Sequence, residues 1–327
     1  DDNGNRTDVT QQGSLPLGIE ASSTSYGYNT NRNRLVSAGA VSFGYDDEGQ
    51  LTSGYGTSYT FDDAHRLTAI GSSYGFTYNG VGDRIRVVRN GVETRYIYDA
   101  SGNLIAEADA NNVIQKYYIY GAGLLAMVTA SNDLYCYHFD ATGNTVALTN
   151  GAGAVVNKYA YTPFGTLSGN SIENIYQPFK FVGQYGVMAE PNGLYYMRAR
   201  YYDPNVGRFI SEDPIGFDGG DVNLFAYVGN NPIIGIDPTG LSDLVFNRAN
   251  GTLTVYDSQS NQVGQFPAAN NTTRSSNGPW PNGMYDFSHY NSHPESGPTG
   301  PYGSNGIFVF DVPGRYGMGV HSGRRGP

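Results

Sequence analysis

The sequence has little cysteine, little charge and no long apolar run. Its one cysteine, Cys136, allows no disulfide within the chain and no cysteine metal cluster, and its aromatic neighbours predict an inert thiol in the core. No apolar stretch reaches the length of a membrane span, and no signal peptide opens the chain. The first residues begin in mid-pattern, which predicts that the chain is a fragment.

Charged residues make up only 15% of the chain, and the net charge is −10. Five basic and five acidic residues follow Leu241, which leaves 14 basic and 24 acidic residues before it. An acidic surface repels phosphate backbones, so this first part is expected to bind nucleic acid poorly, and no nucleic-acid partner is expected for the chain. With 45 Gly and 28 Tyr in 327 residues, turn formers and strand formers dominate, which predicts an all-β fold.

A repeated motif, aromatic-Asp/Asn-x-x-Gly-x-Leu, runs through the first part of the chain. It reads YDDEGQL from Tyr45, YDASGNL from Tyr98 and FDATGNT from Phe139, with further variants from Tyr28, Phe61, Tyr78, Tyr120 and Tyr161. An alternating strand precedes each motif, the Asp-x-x-Gly makes a turn, and a return strand follows. Each repeat is therefore predicted to be a hairpin that buries its apolar face only by stacking on its neighbours in a curling sheet.

This pattern resembles the YD repeats of RHS (rearrangement hot spot) proteins. The stretch from Asn192 to Leu241 resembles the core-associated segment that closes such arrays. The resemblance implies a β-hairpin sheet that spirals into a hollow shell around a variable toxin. We therefore expect a YD-repeat shell over residues 1–180, a closing segment over 181–241, and a small, mainly β toxin domain over 242–327 that is incomplete at its end.

The closing segment contains Asp-Pro-x-Gly twice, as DPIG from Asp213 and DPTG from Asp237. Asp, Pro and Gly in this order are typical of type I turns, and turns alone need no chemistry. The family resemblance implies more: an internal aspartic protease formed by Asp213 and Asp237 with Arg200, cutting between Leu241 and Ser242. Two close carboxylates cannot both stay ionised, so one holds a proton while the other activates water. The loop between the motifs is slightly longer than the commonest family form.

After Leu241 the sequence alternates as two or three short strands, with Asn250–Gly251 as a tight turn and a buried strand in GIFVFDVPG. His289 and His293 are four residues apart, but their neighbours favour a loop and no third ligand is evident, so no metal or other cofactor is expected. His321 ends an apolar strand, where a base can face a cleft. Arg324 and Arg325 favour a solvated edge, with phosphate binding as the alternative.

The passenger also resembles L,D-transpeptidase-like peptidoglycan enzymes, through LTVYDSQSNQVGQFPA, GPWPNGMYDF and GMGVHSG. His321 and Gly323 match the first half of that family's signature, which implies that His321 accepts the proton of a nucleophilic cysteine. That cysteine is not in this chain. The alternatives are a nuclease or other hydrolase that uses His321 with Arg324 or Arg325, and a non-enzymatic surface repeat protein.

Together these expectations describe a secreted, self-cleaving effector that delivers its own carboxy-terminal toxin into a competing bacterium. Its expected partners are the enclosed toxin, a cognate immunity protein, secretion-machinery proteins bound through a missing amino-terminal region, and peptidoglycan in the periplasm as the toxin's substrate.

Overall fold

The structure, a computed structural model, describes residues 1, 3–13, 21–29, 33–121, 123–216, 221, 223–233 and 235–241, and the strand backbones between 244 and 321. The chain divides into two compact units, one of Asp1–Asp243 with Tyr256–Gln262 and the other of Leu244–Val255 with Val263–Pro327. Every regular element longer than a single 3₁₀ turn in these described residues is a β-strand. The prediction of an all-β fold is confirmed.

Most of the first unit is one antiparallel sheet of fourteen strands, which we call the repeat sheet, with neighbours in chain order. Its strands are β5 (Gly44–Tyr45), β6 (Leu51–Gly54), β7 (Thr57–Phe61), β8 (Leu67–Ile70), β9 (Tyr74–Tyr78), β10 (Arg84–Arg89), β11 (Val92–Tyr98), β12 (Leu104–Ala108), β13 (Ile114–Gly121), β14 (Gly123–Thr129), β15 (Leu134–Phe139), β16 (Thr145–Asn150), β17 (Val155–Lys158) and β18 (Ile172–Glu173). A smaller sheet of β1 (Asp8–Gln11), β2 (Ser22–Tyr28), β3 (Leu35–Ala38) and β4 (Val41–Ser42) precedes it.

The repeated motif forms the hairpins that the sequence predicts, and the turn between β11 and β12 illustrates how. The Asp99 carboxylate accepts hydrogen bonds from the backbone N–H of Ser101 at 2.8 Å and of Asn103 at 2.9 Å. Gly102 has a φ of 77°, a left-handed conformation that glycine adopts without strain. The side chain thus satisfies backbone donors that the tight turn leaves unpaired.

At several repeats, the tyrosine that opens the motif links its hairpin to the one before it. The Tyr98 hydroxyl donates to the carbonyl oxygen of Arg84 at 2.9 Å, and the Tyr78 hydroxyl donates to that of Leu67 at 2.8 Å. Both carbonyls belong to the residue that begins the return strand of the preceding hairpin. A tyrosine therefore fits this position well, because its ring packs on the core while its hydroxyl makes a buried hydrogen bond.

The closing segment, residues 181–241, contributes a small antiparallel sheet whose two faces are both covered. Its strands are β19 (Met188–Ala189), β20 (Tyr195–Met197), β21 (Arg200–Asp203) and β22 (Arg208–Phe209), followed by a 3₁₀ turn at Val228–Asn230. One face, with Tyr196 and Tyr201, packs into the core formed by the hairpins. The other face, with Tyr195 and Tyr202, forms a second core with Phe181 and Tyr227. Successive residues of each strand therefore serve different cores.

The second unit contains two three-stranded antiparallel sheets. One is formed by β23 (Leu244–Asn247), β24 (Thr252–Tyr256) and β25 (Gln262–Pro267), and the other by β26 (Asp286–Asn291), β27 (Ile307–Val312) and β28 (Arg315–His321). The predicted strands are present, but the expected loop around His289 is wrong, because this residue lies in β26 and pairs with Val309. The predicted Asn250–Gly251 turn lies outside the described residues. Among the residues that are described, no helix is long and apolar enough to cross a membrane.

Candidate active site

Arg200, the first residue of β21, is the hub of a buried polar cluster in the closing segment. Its Nη2 lies 2.9 Å from Asp213 Oδ2 and 3.5 Å from Asp237 Oδ2. Its Nε donates to the carbonyl oxygen of Gly240 at 2.5 Å, and its Nη1 donates to that of Leu224 at 2.9 Å. The three residues that the sequence predicts as catalytic thus meet at one guanidinium group, whose fixed fork of donors suits several oxygens at once.

The two carboxyl groups are close together and are shielded from water. Both Oδ2 atoms touch one nitrogen, so their separation cannot exceed the sum of those two distances. The side chains of Asp213 and Asp237 are 8% and 3% exposed. The Arg200 guanidinium also stacks on Phe209, 3.6 Å from the ring centroid, which closes one side of the cluster.

The first Asp-Pro-x-Gly is a backbone turn. The N–H of Gly216 donates to the carbonyl oxygen of Asp213 at 2.9 Å, and the N–H of Ile215 donates to the Asp213 carboxylate at 3.0 Å. The backbone N–H of Asp213 is itself held by the carbonyl oxygen of Leu224 at 3.0 Å. The turn thus fixes the side chain while leaving Oδ2 free to face Arg200.

The second Asp-Pro-x-Gly turn is closed by hydrogen bonds to the side chain of Asp237. Asp237 Oδ1 accepts hydrogen bonds from the N–H of Gly240 at 2.8 Å, the N–H of Leu241 at 3.3 Å and the hydroxyl of Thr239 at 3.2 Å. The Asp237 carboxyl group therefore contacts Arg200 through Oδ2 and the backbone N–H of Leu241 through Oδ1. The predicted cut falls directly after Leu241. The Asp237 carboxyl group therefore lies beside Leu241, the last described residue before the predicted cut.

Burial dominates the electrostatics of this acid pair. Desolvation raises the pKa of Asp213 to about 6, against the opposing effect of Arg200, and the neighbouring Asp237 raises it further. Desolvation also raises the pKa of Asp237, while Arg200 and the N–H donors of Gly240 and Leu241 act against the rise. A pair with raised pKa values retains a proton in weakly acidic solution, up to a pH of about 6, and it can then supply both an acid and a base.

We expect Gly240→Ala to damage this site. Gly240 has a φ of 71°, and a Cβ there would lie 2.6 Å from the carbonyl oxygen of Met197 and 3.0 Å from the N–H nitrogen of Arg200. The strained backbone and the clash should cost about 2 kcal/mol and push Leu241 away from Asp237. Thermal unfolding of the purified protein measures the loss. Gly193→Ala is the matched control, because Gly193 also has a positive φ (92°) but has open space around its Cβ position. Equal losses in the two variants would remove the clash as a cause.

The residues predicted for the passenger are less fully described. His321 ends β28, where its backbone pairs with Ile307. His293, Gly323, Arg324 and Arg325 lie outside the described residues, as does Ser242 on the far side of the predicted cut. Among the residues that the structure does describe, no group of three or more His, Cys, Asp or Glu is arranged to hold a metal ion. Cys136, predicted as a core thiol, is half-buried.

Sequence reasoning missed the residues around the acid pair. Glu212 and Tyr201, which adjoin Asp213 and Arg200, contact arginines from the hairpins: Arg34 lies 3.2 Å from Glu212, and Arg84 donates to the Tyr201 hydroxyl at 2.7 Å. Nothing in the spacing of the sequence indicates these pairs, because their members are more than a hundred residues apart. The arginines at the repeat turns, Arg34 and Arg84, are the feature of the sequence that could have indicated these contacts.

Comparison with known proteins agrees with the repeats and the sheet. Residues 108–233 match the family described as Teneurin YD-shell. The crystal structure of TcdB2-TccC3 superposes with a TM-score of 0.57 at 19% identity, over 74% of this chain and 13% of that chain. At this identity the likeness concerns the fold alone.

Three curated relatives are similar in sequence. The tRNA nuclease WapA of Bacillus subtilis is 37% identical over 222 residues, covering 64% of this chain and 9% of WapA. Double-stranded DNA deaminase toxin A of Burkholderia cenocepacia is 28% identical over 278 residues, covering 68% of this chain and 18% of the toxin. Toxin protein Tse5 of Pseudomonas aeruginosa is 52% identical over 65 residues, covering 20% of this chain and 5% of Tse5.

The chain is thus an all-β protein of stacked repeat hairpins that is similar, over residues 108–233, to the Teneurin YD-shell family and is also similar to proteins named as toxins. The chain spans about a tenth of the length of the WapA proteins that it matches.

Proposed function

We propose that the chain is the self-cleaving part of a YD-repeat toxin, which cuts its own backbone between Leu241 and Ser242. The observation that carries this proposal is the set of contacts made by Arg200. One guanidinium group touches Asp213, Asp237 and the carbonyl oxygen of Gly240, so the acids and the chain before the cut share one anchor.

The reaction would be hydrolysis by an acid pair that shares one proton. The ionised carboxyl takes a proton from water, which attacks the carbonyl carbon of Leu241, while the protonated carboxyl donates to the carbonyl oxygen. Collapse of this intermediate breaks the C–N bond and moves a proton to the nitrogen of Ser242, giving a new carboxyl group and a new amine. Arg200 keeps the remaining negative charge of the pair compensated in a dry site. No cofactor is needed.

The intact mass of the denatured protein tests this proposal. Wild type should give two fragments that meet after Leu241, and Asp237→Asn, which keeps the shape but removes the acid, should give one uncut chain. Asp83→Asn is a suitable control, because Asp83 is an acid at a repeat turn remote in sequence from the DPxG motifs. A wild-type chain that stays whole, or an Asp237→Asn chain that is still cut after Leu241, would refute autoproteolysis.

For the passenger, we propose a toxin that acts on nucleic acid. The similar proteins include one named as a tRNA nuclease and one named as a double-stranded DNA deaminase toxin, and no peptidoglycan enzyme is among the relatives reported above. These relatives favour the alternative of a nuclease-type toxin over the L,D-transpeptidase interpretation. In this proposal nucleic acid is a partner of the passenger, contrary to the expectation from the charge balance. Delivery into another bacterium, a shell that encloses the passenger, and an immunity protein remain parts of this proposal.

Incubation of the cleaved protein with total tRNA, duplex DNA and purified peptidoglycan separates these possibilities. We expect breakage or base modification of one nucleic acid, and loss of that activity in His321→Ala if this histidine serves the reaction. Release of stem-peptide fragments from peptidoglycan with both nucleic acids unchanged would restore the transpeptidase interpretation.

A further inference from the structure

We propose that the YD hairpins position the self-cleaving site, so that cleavage proceeds only after the closing segment has docked on the hairpins. This inference rests on the proposed autoproteolysis and concerns its control. It depends on two contacts, each made to the residue next to a member of the acid cluster.

The first contact holds the chain next to Asp213. Glu212 pairs with Arg34, whose Nη2 lies 3.2 Å from Glu212 Oε1. Arg34 is 9% exposed at its side chain, and it also donates to the carbonyl oxygens of Asp46 at 2.5 Å and Asp47 at 2.8 Å. It therefore joins the turn of one hairpin to the residue that precedes the acid.

The Glu212 side chain also packs closely against the same hairpin turn. Gly49, with a φ of 83°, lies so close that a Cβ there would overlap the Glu212 carboxyl group. At the first residue of β6, which follows this turn, the N–H of Leu51 donates to the carbonyl oxygen of Ile210 at 2.9 Å. The chain leading into Asp213 is thus fixed on the hairpin by a backbone hydrogen bond, an ion pair and a close glycine contact.

The second contact holds the strand that carries Arg200. Arg84 on β10 donates to the Tyr201 hydroxyl at 2.7 Å and lies 2.6 Å from Glu190, and the side chains of Arg84 and Glu190 are both fully buried. Arg89 on the same strand binds the other oxygen of Glu190 at 2.8 Å. Tyr201 directly follows Arg200 on β21, so a displacement of Tyr201 also displaces the backbone that carries Arg200.

These contacts have a kinetic consequence. The acid pair needs its oxygens within hydrogen-bonding distance of Arg200, and an error of about 1 Å in such a site reduces the rate by up to about 100-fold. A closing segment that has not docked lacks the anchors beside Asp213 and Arg200. Cleavage would therefore take place only after the closing segment has packed on the hairpins.

The repeats offer a matched pair of variants for the test. Arg34 and Arg66 occupy the same position in their hairpins, because each directly precedes the return strand. Each also donates through Nη1 to a carbonyl oxygen of the next turn, which is that of Asp46 for Arg34 and that of Asn79 for Arg66. Arg66 pairs with Asp62 of its own turn, whereas Arg34 pairs with Glu212. Arg34→Gln and Arg66→Gln therefore remove the same side chain, with and without the link to the closing segment.

The experiment follows the full chain after a pulse of cell-free synthesis and measures the cut fraction with time by intact mass. We expect Arg34→Gln to be cut at least about tenfold more slowly than wild type, Arg66→Gln to keep the wild-type rate, and Arg34→Lys to recover much of it. Tyr201→Phe, which removes one hydroxyl group, should also be slow, while Tyr161→Phe, whose hydroxyl bonds the Thr145 carbonyl oxygen at 2.7 Å, should not.

Two further measurements separate positioning from simple loss of stability. Uncut Asp237→Asn chains carrying Arg34→Gln or Arg66→Gln should both melt above the assay temperature, and the pH at which cleavage is half-maximal should not move. Wild-type rates in Arg34→Gln and Tyr201→Phe would overturn the inference and leave autoproteolysis intact. Equal slowing by Arg34→Gln and Arg66→Gln would also overturn it. A wild-type chain that is never cut would refute the proposed function and this inference with it.

Discussion

The proposed cleavage after Leu241 is expected to slow about tenfold for each pH unit above about 6, so that the rate at pH 8 is roughly a hundredth of the maximum. The reaction needs one proton on the acid pair, and burial raises the pKa of Asp213 to about 6. Above that value the pair loses its shared proton and with it the general acid. At much lower pH both carboxyls are protonated, no base remains, and the rate falls again.

The measurement is the rate of appearance of the two fragments after newly made chain is transferred to buffers between pH 4.5 and 8.5. Asp99→Asn is the control, because Asp99 is a hairpin-turn carboxylate without a place in the acid cluster. Its profile should match wild type. A rate that rises steadily up to pH 8.5 would point to a base-catalysed reaction and would contradict the shared-proton mechanism.

Arg84→Met is expected to cost the first unit about 3–5 kcal/mol of stability, because it removes one member of a buried ionic network. Arg84 and Glu190 are both fully buried, and the guanidinium also stacks on Tyr196 at 4.0 Å from the ring centroid. Arg89 would remain as the only arginine on Glu190 within the part of the chain that the structure describes. The loss is read from the urea concentration at which the first unit unfolds, followed by tyrosine fluorescence.

Arg86→Met provides the comparison for this prediction. Arg86 is on the same strand and pairs with Glu93 at 2.6 Å, but its side chain is 42% exposed, so its loss should cost less than about 1 kcal/mol. Similar losses in the two variants would mean that burial does not decide the strength of these pairs. The double variant Arg84→Met with Glu190→Met should be at least as unstable as Arg84→Met alone, because Arg89, whose side chain is 13% exposed, then loses the carboxylate that it pairs with.

The repeats made much of the fold predictable. The period-2 strands and the Asp-x-x-Gly turns act locally, and each turn is stabilised by its own side chain, as Asp99 illustrates. The predicted strands of the second unit follow from the same alternation. The loop expected around His289 is wrong because the nearby Asn and Ser have low intrinsic strand propensity, whereas the strand is formed by the pairing of β26 with β27, a distant segment.

The acid cluster was predictable only in its members. Asp213, Asp237 and Arg200 stood out through the doubled motif and the resemblance to RHS proteins, and the structure brings them together. Their neighbours Glu212 and Tyr201 did not stand out, because an ordinary glutamate and one tyrosine among 28 carry no local signal. Their partners Arg34 and Arg84 come from hairpins far away in sequence.

The sequence by itself determined the class of structure, because hairpin repeats are decided by residues that are close in the chain and recur with the same turn chemistry. It also singled out Asp213, Asp237 and Arg200, which the structure brings together. Only the tertiary structure decided that the small sheet of the closing segment has two buried faces, one on the hairpins and one carrying Arg200. Burial raises the pKa values of the two acids, and burial depends on how distant segments pack.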